Sequence, residues 1–171
     1  MQKGEVLIAE NGDEYQIKVS GRANFECGVH LRDFAKKLKG ARLVSIDLQE
    51  CVGMDSTFMG ILSMIGLKGK STNMRVQIVN AGDFNRGLLR GLGVEKLFDF
   101  IDKNEDSIGS FSEISGNGDA VNTAETVVEA HKTLIDVDSA CNLPKFEKVV
   151  EFAESDLERL RKEKDNANNN G

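Results

Sequence analysis

The stretch that decides the fold is Leu43-Val44-Ser45-Ile46-Asp47-Leu48, followed after six residues by Asp55-Ser56-Thr57. The first part is short, largely apolar and partly β-branched, as is typical of a strand at the centre of a sheet. Asp, Ser and Thr favour helix N-termini, and apolar residues then recur at helical spacing at Phe58, Ile61, Leu62 and Ile65. The pattern predicts a buried strand followed by a helix.

Similar signals extend outward from this junction. Upstream, Asn11-Gly12-Asp13 predicts the turn of a β-hairpin between strands at 5–8 and 15–19, and a helix follows over 31–38. Downstream we expect a strand at 74–79, a helix capped by Asp83 and a last short strand at 97–101. This alternation indicates an α/β fold with a mixed, mostly parallel sheet and helices packed on it. The domain is expected to span residues 1–102.

The back of the chain has a different composition. Residues 103–121 are rich in Asn, Asp, Ser, Gly and Glu, which predicts a flexible linker. Residues 122–161 predict a helical extension of two helices, with a turn at 136–142 and Pro144 in the first position of the second helix. The second helix carries an apolar stripe of Phe146, Val149, Val150, Ala153, Leu157 and Leu160. The Asn-rich end, 162–171, is predicted to be a disordered tail.

An apolar stripe of this size needs a surface to cover it. It can pack on the front domain as a regulatory or stabilising lid. It can also engage another protein, or form a homodimer through the C-terminal helices. The sequence favours intramolecular packing or dimerisation without deciding between them.

Charge and composition narrow the function. The net charge is -6, and residues 103–171 hold 15 acidic and 8 basic residues. Because the chain has no clustered Lys and Arg surface, we expect no nucleic-acid partner. The three cysteines are far apart, which fits a reducing, cytoplasmic location without disulfides. No apolar run reaches the roughly 18 residues needed to cross a membrane, so no membrane association is expected.

Catalytic, metal and cofactor sites are not indicated. His30 and His131 fall in separate segments without metal-ligand spacing, and each is interpreted as a helix-surface or hydrogen-bonded interior histidine. Gly87, Gly91 and Gly93 lie within and after a helical pattern, whereas a phosphate-binding loop would follow a strand and open a helix. We therefore expect a protein that is not an enzyme, with no metal and no cofactor.

Ser56 admits two interpretations. By itself it is an ordinary helix-capping residue. However, it follows a sheet strand at its carboxyl end, where open α/β sheets present binding surface. A phosphoryl group there would meet the positive end of the helix dipole, while adding about two negative charges to a docking face. The position therefore also suits a phosphorylation switch.

Three motifs follow one another in the front of the chain. They are Val19-Ser20-Gly21-Arg22-Ala23-Asn24, then Asp47-Leu48 followed by Met54-Asp55-Ser56-Thr57 and Gly60, and then 80–98 with Gly93-Val94-Glu95-Lys96-Leu97-Phe98. In these motifs the sequence resembles the STAS family of anti-sigma factor antagonists. The resemblance covers nearly all of residues 5–102. Phe58 stands where the family usually has glycine, and Asn24 where it often has aspartate.

The resemblance implies the STAS fold and a role as an anti-sigma factor antagonist. It implies binding to an anti-sigma factor that is also a serine kinase, phosphorylation at Ser56, with Thr57 as the alternative acceptor, and reversal by a PP2C-type phosphatase. The expected partner-binding residues are Asn24, Asp55, Ser56, Thr57, Phe58 and Met59. A second hypothesis is a constitutive STAS-fold scaffold or adaptor in which Ser56 is only a cap.

Overall fold

The computed structural model describes residues 3–104 and 106–170. Its strands are β1 (Glu5–Asn11), β2 (Glu14–Ala23), β3 (Leu43–Met54), β4 (Arg75–Val79), β5 (Asp99–Ile101) and β6 (Ser112–Glu113). Its α-helices are α1 (Phe25–Lys37), α2 (Ser56–Ser71), α3 (Asp83–Gly91), α4 (Ala120–Val137) and α5 (Ser139–Asn169). A short 3-10 turn, Glu95–Leu97, precedes β5.

One mixed sheet organises the chain, with strand order β5-β4-β3-β2-β1-β6. β1 and β2 pair antiparallel around a turn in which Gly12 has a φ of 63°, a value that glycine adopts without strain. β2, β3, β4 and β5 pair parallel. The predicted α/β class, with a mostly parallel sheet and a C-terminal helical extension, is confirmed.

The two faces of the sheet differ in chemistry. Apolar side chains from alternate strand positions join one hydrophobic cluster with α1 and α2, among them Ile17, Val44, Ile46, Leu48 and Ile78. The intervening positions form a polar row across the opposite face, where Gln16, Ser45 and Gln77 are neighbours in register. Gln77 Nε2 donates to Ser45 Oγ at 2.6 Å. The core therefore lies on the helical side of the sheet.

β3 is longer than the sequence predicts. After an irregularity in register between Lys18 and Ser20, its last residues continue to pair with the end of β2, from Ser20 opposite Glu50 to Ala23 opposite Met54. A second irregularity lies between Gly21 and Arg22. β4 pairs only as far as Asp47. The end of β3 therefore extends beyond β4 and carries the start of α2 to the edge of the domain.

The segment predicted as a flexible linker is partly ordered against the sheet. Asn80 contacts Lys103 at the end of β4, and the Gln16 side chain contacts the backbone of Asp106 and Ile108 at 2.7 and 3.1 Å. The segment then adds β6 to the free edge of β1. Polar side chains on the sheet hold this connector, which is why its composition alone did not reveal it.

α4 and α5 form an antiparallel pair, the C-terminal hairpin, with Asp138 as the single residue between them. The predicted turn at 136–142 is therefore too long, because Asp138 ends α4 and caps α5 by accepting from Cys141 N at 3.0 Å. Pro144 lies inside α5 and not at its first position. Residues 162–169, predicted to be disordered, continue α5, where Lys162–Glu158 and Arg159–Glu163 pairs are spaced by four residues.

The hairpin packs against the sheet domain, as one of the two predicted arrangements requires. α4 lies on α1 and α2, and it adds Ala130 and Leu134 to the main hydrophobic cluster. A separate small cluster joins α4 to α5 through Ala124, Val128, Ala153 and Leu157. Asn142 is fully buried and donates to the carbonyls of Leu92 and Leu134 at 2.8 and 2.7 Å. The predicted stripe on α5 is thus largely covered, although Val149 remains 38% exposed.

Gly60 marks the closest approach of α4 to α2. A Cβ atom at this position would overlap the Ala130 carbonyl. We expect Gly60→Ala to lower the free energy of unfolding by about 2 kcal/mol, because two packed helices must separate. Gly87→Ala is the matched control, since that helical glycine has open space around it and should tolerate alanine or gain stability. Urea unfolding of both variants tests this, and equal effects would contradict the packing.

Candidate functional site

The site lies where β3 passes into α2. Asp55 is the N-cap of α2, with extended backbone, and its Oδ1 accepts from Phe58 N at 2.8 Å. Ser56 is the first residue of the helix. The capping role that the sequence divides among Asp, Ser and Thr therefore belongs to Asp55, and the Ser56 hydroxyl is left available for a different contact.

The Asp55 carboxyl is half-buried, and burial raises its pKa above the ordinary value. The backbone N–H of Phe58 acts in the opposite direction, because it stabilises the carboxylate. The free N–H groups at the start of α2 and the helix dipole make this end of the helix favourable for negative charge. Asp55 already supplies one such charge.

Ser56 forms a hydrogen bond with a residue far away in the sequence. Its Oγ lies 2.8 Å from Nε2 of His131, in the middle of α4. The other ring nitrogen, Nδ1, lies 2.7 Å from the Val127 carbonyl, which can only accept. Nδ1 therefore carries the proton, Nε2 is the acceptor, and the Ser56 hydroxyl donates.

His131 is enclosed by the hairpin and the sheet domain. It is 3% exposed, and its ring packs edge-on against Phe146 of α5 at 4.9 Å between centroids. Burial lowers its pKa, so the ring is held neutral. Of the two interpretations made from the sequence, this histidine fits the hydrogen-bonded interior one. Its pairing with Ser56 could not be read from positions 75 residues apart.

The other predicted partner-binding residues lie in different environments. Thr57, Phe58 and Met59 are 5%, 0% and 5% exposed, because this part of α2 lies between the sheet and the hairpin. Their side chains cannot touch a partner in this conformation, and Thr57 is less accessible than Ser56 as an acceptor. Phe58 belongs to the main hydrophobic cluster and does not project beside the Ser56 hydroxyl towards solvent.

Asn24 caps the neighbouring helix. Its Oδ1 accepts from the backbone N–H groups of Glu26 and Cys27 at 3.1 and 3.4 Å, which fixes the start of α1. The Asp55 N–H donates to the Ala23 carbonyl at 3.0 Å, so the ends of β2 and β3 are held side by side. Asn24 and Asp55 thus follow neighbouring strand ends, and both act as helix caps.

Exposed apolar side chains surround this end of the sheet and were missed by the sequence analysis. Phe25, Val52 and Phe84 are 42%, 53% and 67% exposed. Phe25 opens α1, Val52 lies near the end of β3, and Phe84 in α3 lies beside Gly53. For Val52 the available signal was its position between the buried Cys51 and Gly53. Phe84 stands four residues before Leu88, at the spacing of an apolar helix face, so its exposure could not be predicted from the sequence.

The described part of the chain contains no group of three His, Cys, Asp or Glu residues placed to hold a metal ion. None of the helices in the described residues is both long and apolar enough to cross a membrane.

No protein-family model matches the sequence, and no curated protein is significantly similar to it. The structure is similar to two solved structures of SpoIIAA. One is the anti-sigma factor antagonist SpoIIAA in its unphosphorylated form, with a TM-score of 0.50, 10% identity, and coverage of 58% of this chain and 89% of that chain. The other is the Bacillus cell fate determinant SpoIIAA in the phosphorylated form, with a TM-score of 0.51, 12% identity, and coverage of 58% and 92%.

At these identities the likeness concerns the fold alone. The share of this chain that is covered is similar in length to the predicted domain at 1–102. The predicted resemblance in fold is confirmed: the chain has the STAS fold of SpoIIAA.

Proposed function

We propose that this protein is a regulatory protein-binding module that binds an anti-sigma factor with serine-kinase activity and is switched by phosphorylation of Ser56. One observation carries the proposal. Asp55 caps α2, so the Ser56 hydroxyl is not needed by its own helix and bonds instead across the contact with α4. This hydrogen bond joins α2 of the sheet domain to α4 of the C-terminal hairpin. Modification of the hydroxyl would therefore change how the hairpin packs on the domain.

The chemistry of a phosphoryl group at Ser56 supports this role. The group would lie at the N-terminus of α2, which favours negative charge and spares the helix itself. It would also lie where the half-buried hydroxyl now meets a neutral imidazole, next to the Asp55 carboxyl. Burying about two negative charges there is unfavourable, so the covering helix would be displaced before the fold is harmed. In this proposal a PP2C-type phosphatase restores the hydroxyl, and the cycle operates in the cytoplasm.

The alternative is a constitutive STAS-fold scaffold or adaptor without phosphocycling. It is favoured by the cover over the hydroxyl, since α4 lies on the Ser56 side of α2 with its backbone against Gly60. A kinase can reach Ser56 only when α4 has moved. Under this alternative the Ser56–His131 bond is a permanent part of the fold.

A catalytic role for Ser56 and His131 is not proposed. A serine hydrolase needs a base oriented by a third group and room for a substrate at the nucleophile. Here Nδ1 of His131 is bonded to a backbone carbonyl of its own helix, and the ring is almost completely enclosed. We propose that the pair acts as a contact between the hairpin and the sheet domain and that the protein is not an enzyme.

Partner capture from the native host tests the switch. We expect Ser56→Asp to lower capture of the kinase partner at least about tenfold, equivalent to about 1.4 kcal/mol, and Ser56→Ala to bind without release on addition of ATP. Ser71→Asp adds the same charge at the exposed, far end of α2 and is the matched control. Mass spectrometry should place phosphate on Ser56 and not on Thr57. A Ser56→Ala protein that cycles like the wild type would refute the switch.

The buried imidazole predicts a pH dependence of stability. Because burial lowers the pKa of His131, the unfolded chain binds a proton there before the folded protein does. Its stabilising effect is complete above the ordinary histidine pKa of about 6.5 and is lost as the pH falls through the lowered folded value.

Urea unfolding at pH 7.5 and 5.5 measures this effect. We expect His131→Gln, which keeps an acceptor for Ser56, to show a smaller loss of stability on acidification than the wild type. His30→Gln removes the other histidine and should retain the full loss. An unchanged pH dependence in His131→Gln would show that the ring is not held neutral by its surroundings.

A further inference from the structure

We infer that α1 and α2 form a binding groove for an amphipathic helix of the partner protein, and that α4 is this chain's own occupant of that groove. This inference rests on the proposed function, in which a partner binds at the Ser56 face. The groove is defined by Arg32 and Lys36 on α1 and by Ser56 and Gly60 on α2. A displaced α4 would leave these four residues open to a helix of matching chemistry.

On the α1 side of the groove, the buried charge of Arg32 restricts most strongly which helix can bind. Arg32 is only 4% exposed, and its guanidinium donates to both oxygens of Glu129 at 2.8 and 2.9 Å and to Glu125 at 3.0 Å. Lys36 adds a bond to Glu129 at 3.1 Å. A buried guanidinium without carboxylates is strongly unfavourable. A helix that replaces α4 must therefore bring two carboxylates spaced by four residues, which places them on one face.

On the α2 side of the groove, a bound helix must place a small residue against Gly60. Ala130 packs its backbone against Gly60, and His131 accepts from Ser56 directly beside it. Leu134 is fully buried one turn later. The fitting helix thus carries two acidic residues, a small residue directly after the second, a hydrogen-bond acceptor next, and a leucine three residues further on. The groove is specific because a helix without these two acidic residues would leave Arg32 buried and unpaired.

The hairpin has features of a separable ligand. It holds its own cluster of Ala124, Val128, Ala153 and Leu157, which belongs to α4 and α5 alone. Ala130 and Leu134 pack into the main hydrophobic cluster, and the hairpin's remaining contacts with α1 and α2 include the ion pairs of Arg32 and Lys36 and the Ser56–His131 bond. Because a tethered ligand acts at a high effective concentration, the closed chain should exclude a free helix until the hairpin is loosened.

A charge exchange in the full chain tests the groove. The probes are two labelled peptides covering 119–138, one native and one with Glu125→Lys and Glu129→Lys. The hairpin variant is the full chain with Glu125→Lys and Glu129→Lys, and the groove variant is the full chain with Arg32→Glu and Lys36→Glu. Both variants break the pairs of Arg32 and Lys36 with α4, and the hairpin variant also breaks the Glu125–Arg161 pair inside the hairpin. Only the hairpin variant keeps the native groove. Fluorescence anisotropy measures peptide affinity.

We expect the hairpin variant to bind the native peptide at least about tenfold more tightly than the wild-type chain does, and to reject the charge-reversed peptide. The groove variant should show the opposite preference. In the chain with all four substitutions α4 should pack on α1 and α2 again, with low affinity for both peptides and a thermal midpoint above that of either double variant, although the Glu125–Arg161 pair is not restored. This rescue separates lost binding from failure to fold.

Three results would overturn the inference: no gain in affinity in the hairpin variant, equal affinity for both peptides, or dimers of the hairpin variant in light scattering. The last would make a second copy of this chain the occupant. No kinase is present in this assay, so its failure is distinct from failure of the phosphorylation switch. If Ser56→Asp leaves peptide binding to the hairpin variant unchanged, the groove stands and the switch at Ser56 does not.

Discussion

The absence of a side chain at Gly60 is the constraint on which the arrangement of the hairpin depends. It lets the backbone of α4 reach the backbone of α2 at Ala130. At that separation the imidazole of the next residue meets the Ser56 hydroxyl, and Leu134 enters the main cluster. A larger residue would lift α4 away, and these contacts would be lost together because interiors are closely packed and adjust poorly.

At the start of α2, two neighbouring residues have separate roles that determine the chemistry of the site. Asp55 satisfies the helix terminus, and Ser56 makes the contact with α4. If Ser56 were the cap, its modification would weaken the helix that positions it. Since Asp55 holds the helix, the neighbouring hydroxyl can gain or lose a contact while the β3–α2 junction stays in place. The site therefore combines a rigid support with a contact that can be changed.

Local signals in the sequence predicted the features that depend on local interactions. The Asn11-Gly12 turn, the apolar β3 and the helix after Asp55 were all indicated by neighbouring residues, and the resemblance to the STAS family implied the fold. The packing of α4 over Ser56 could not be predicted in this way, because the contact with His131 depends on how α4 crosses α2. The order in 103–121 was also missed, since polar side chains such as Gln16 hold that segment. The helical structure at the end of α5 was not predicted, because the Asn-rich composition indicated disorder and was given more weight than the pairs of opposite charge spaced by four residues.

The position of β6 has a consequence for the solubility of the protein. Ser112–Glu113 and the Ile114 N–H, which donates to the Val6 carbonyl at 3.2 Å, lie along the side of β1 opposite β2. An uncovered outer strand offers unpaired backbone groups to other chains and invites aggregation. If release of the hairpin also pulled β6 away, the unpaired backbone groups of β1 would be exposed to other chains. Opening that begins after Ile114, within the glycine-containing stretch 115–118, would leave the outer strand shielded.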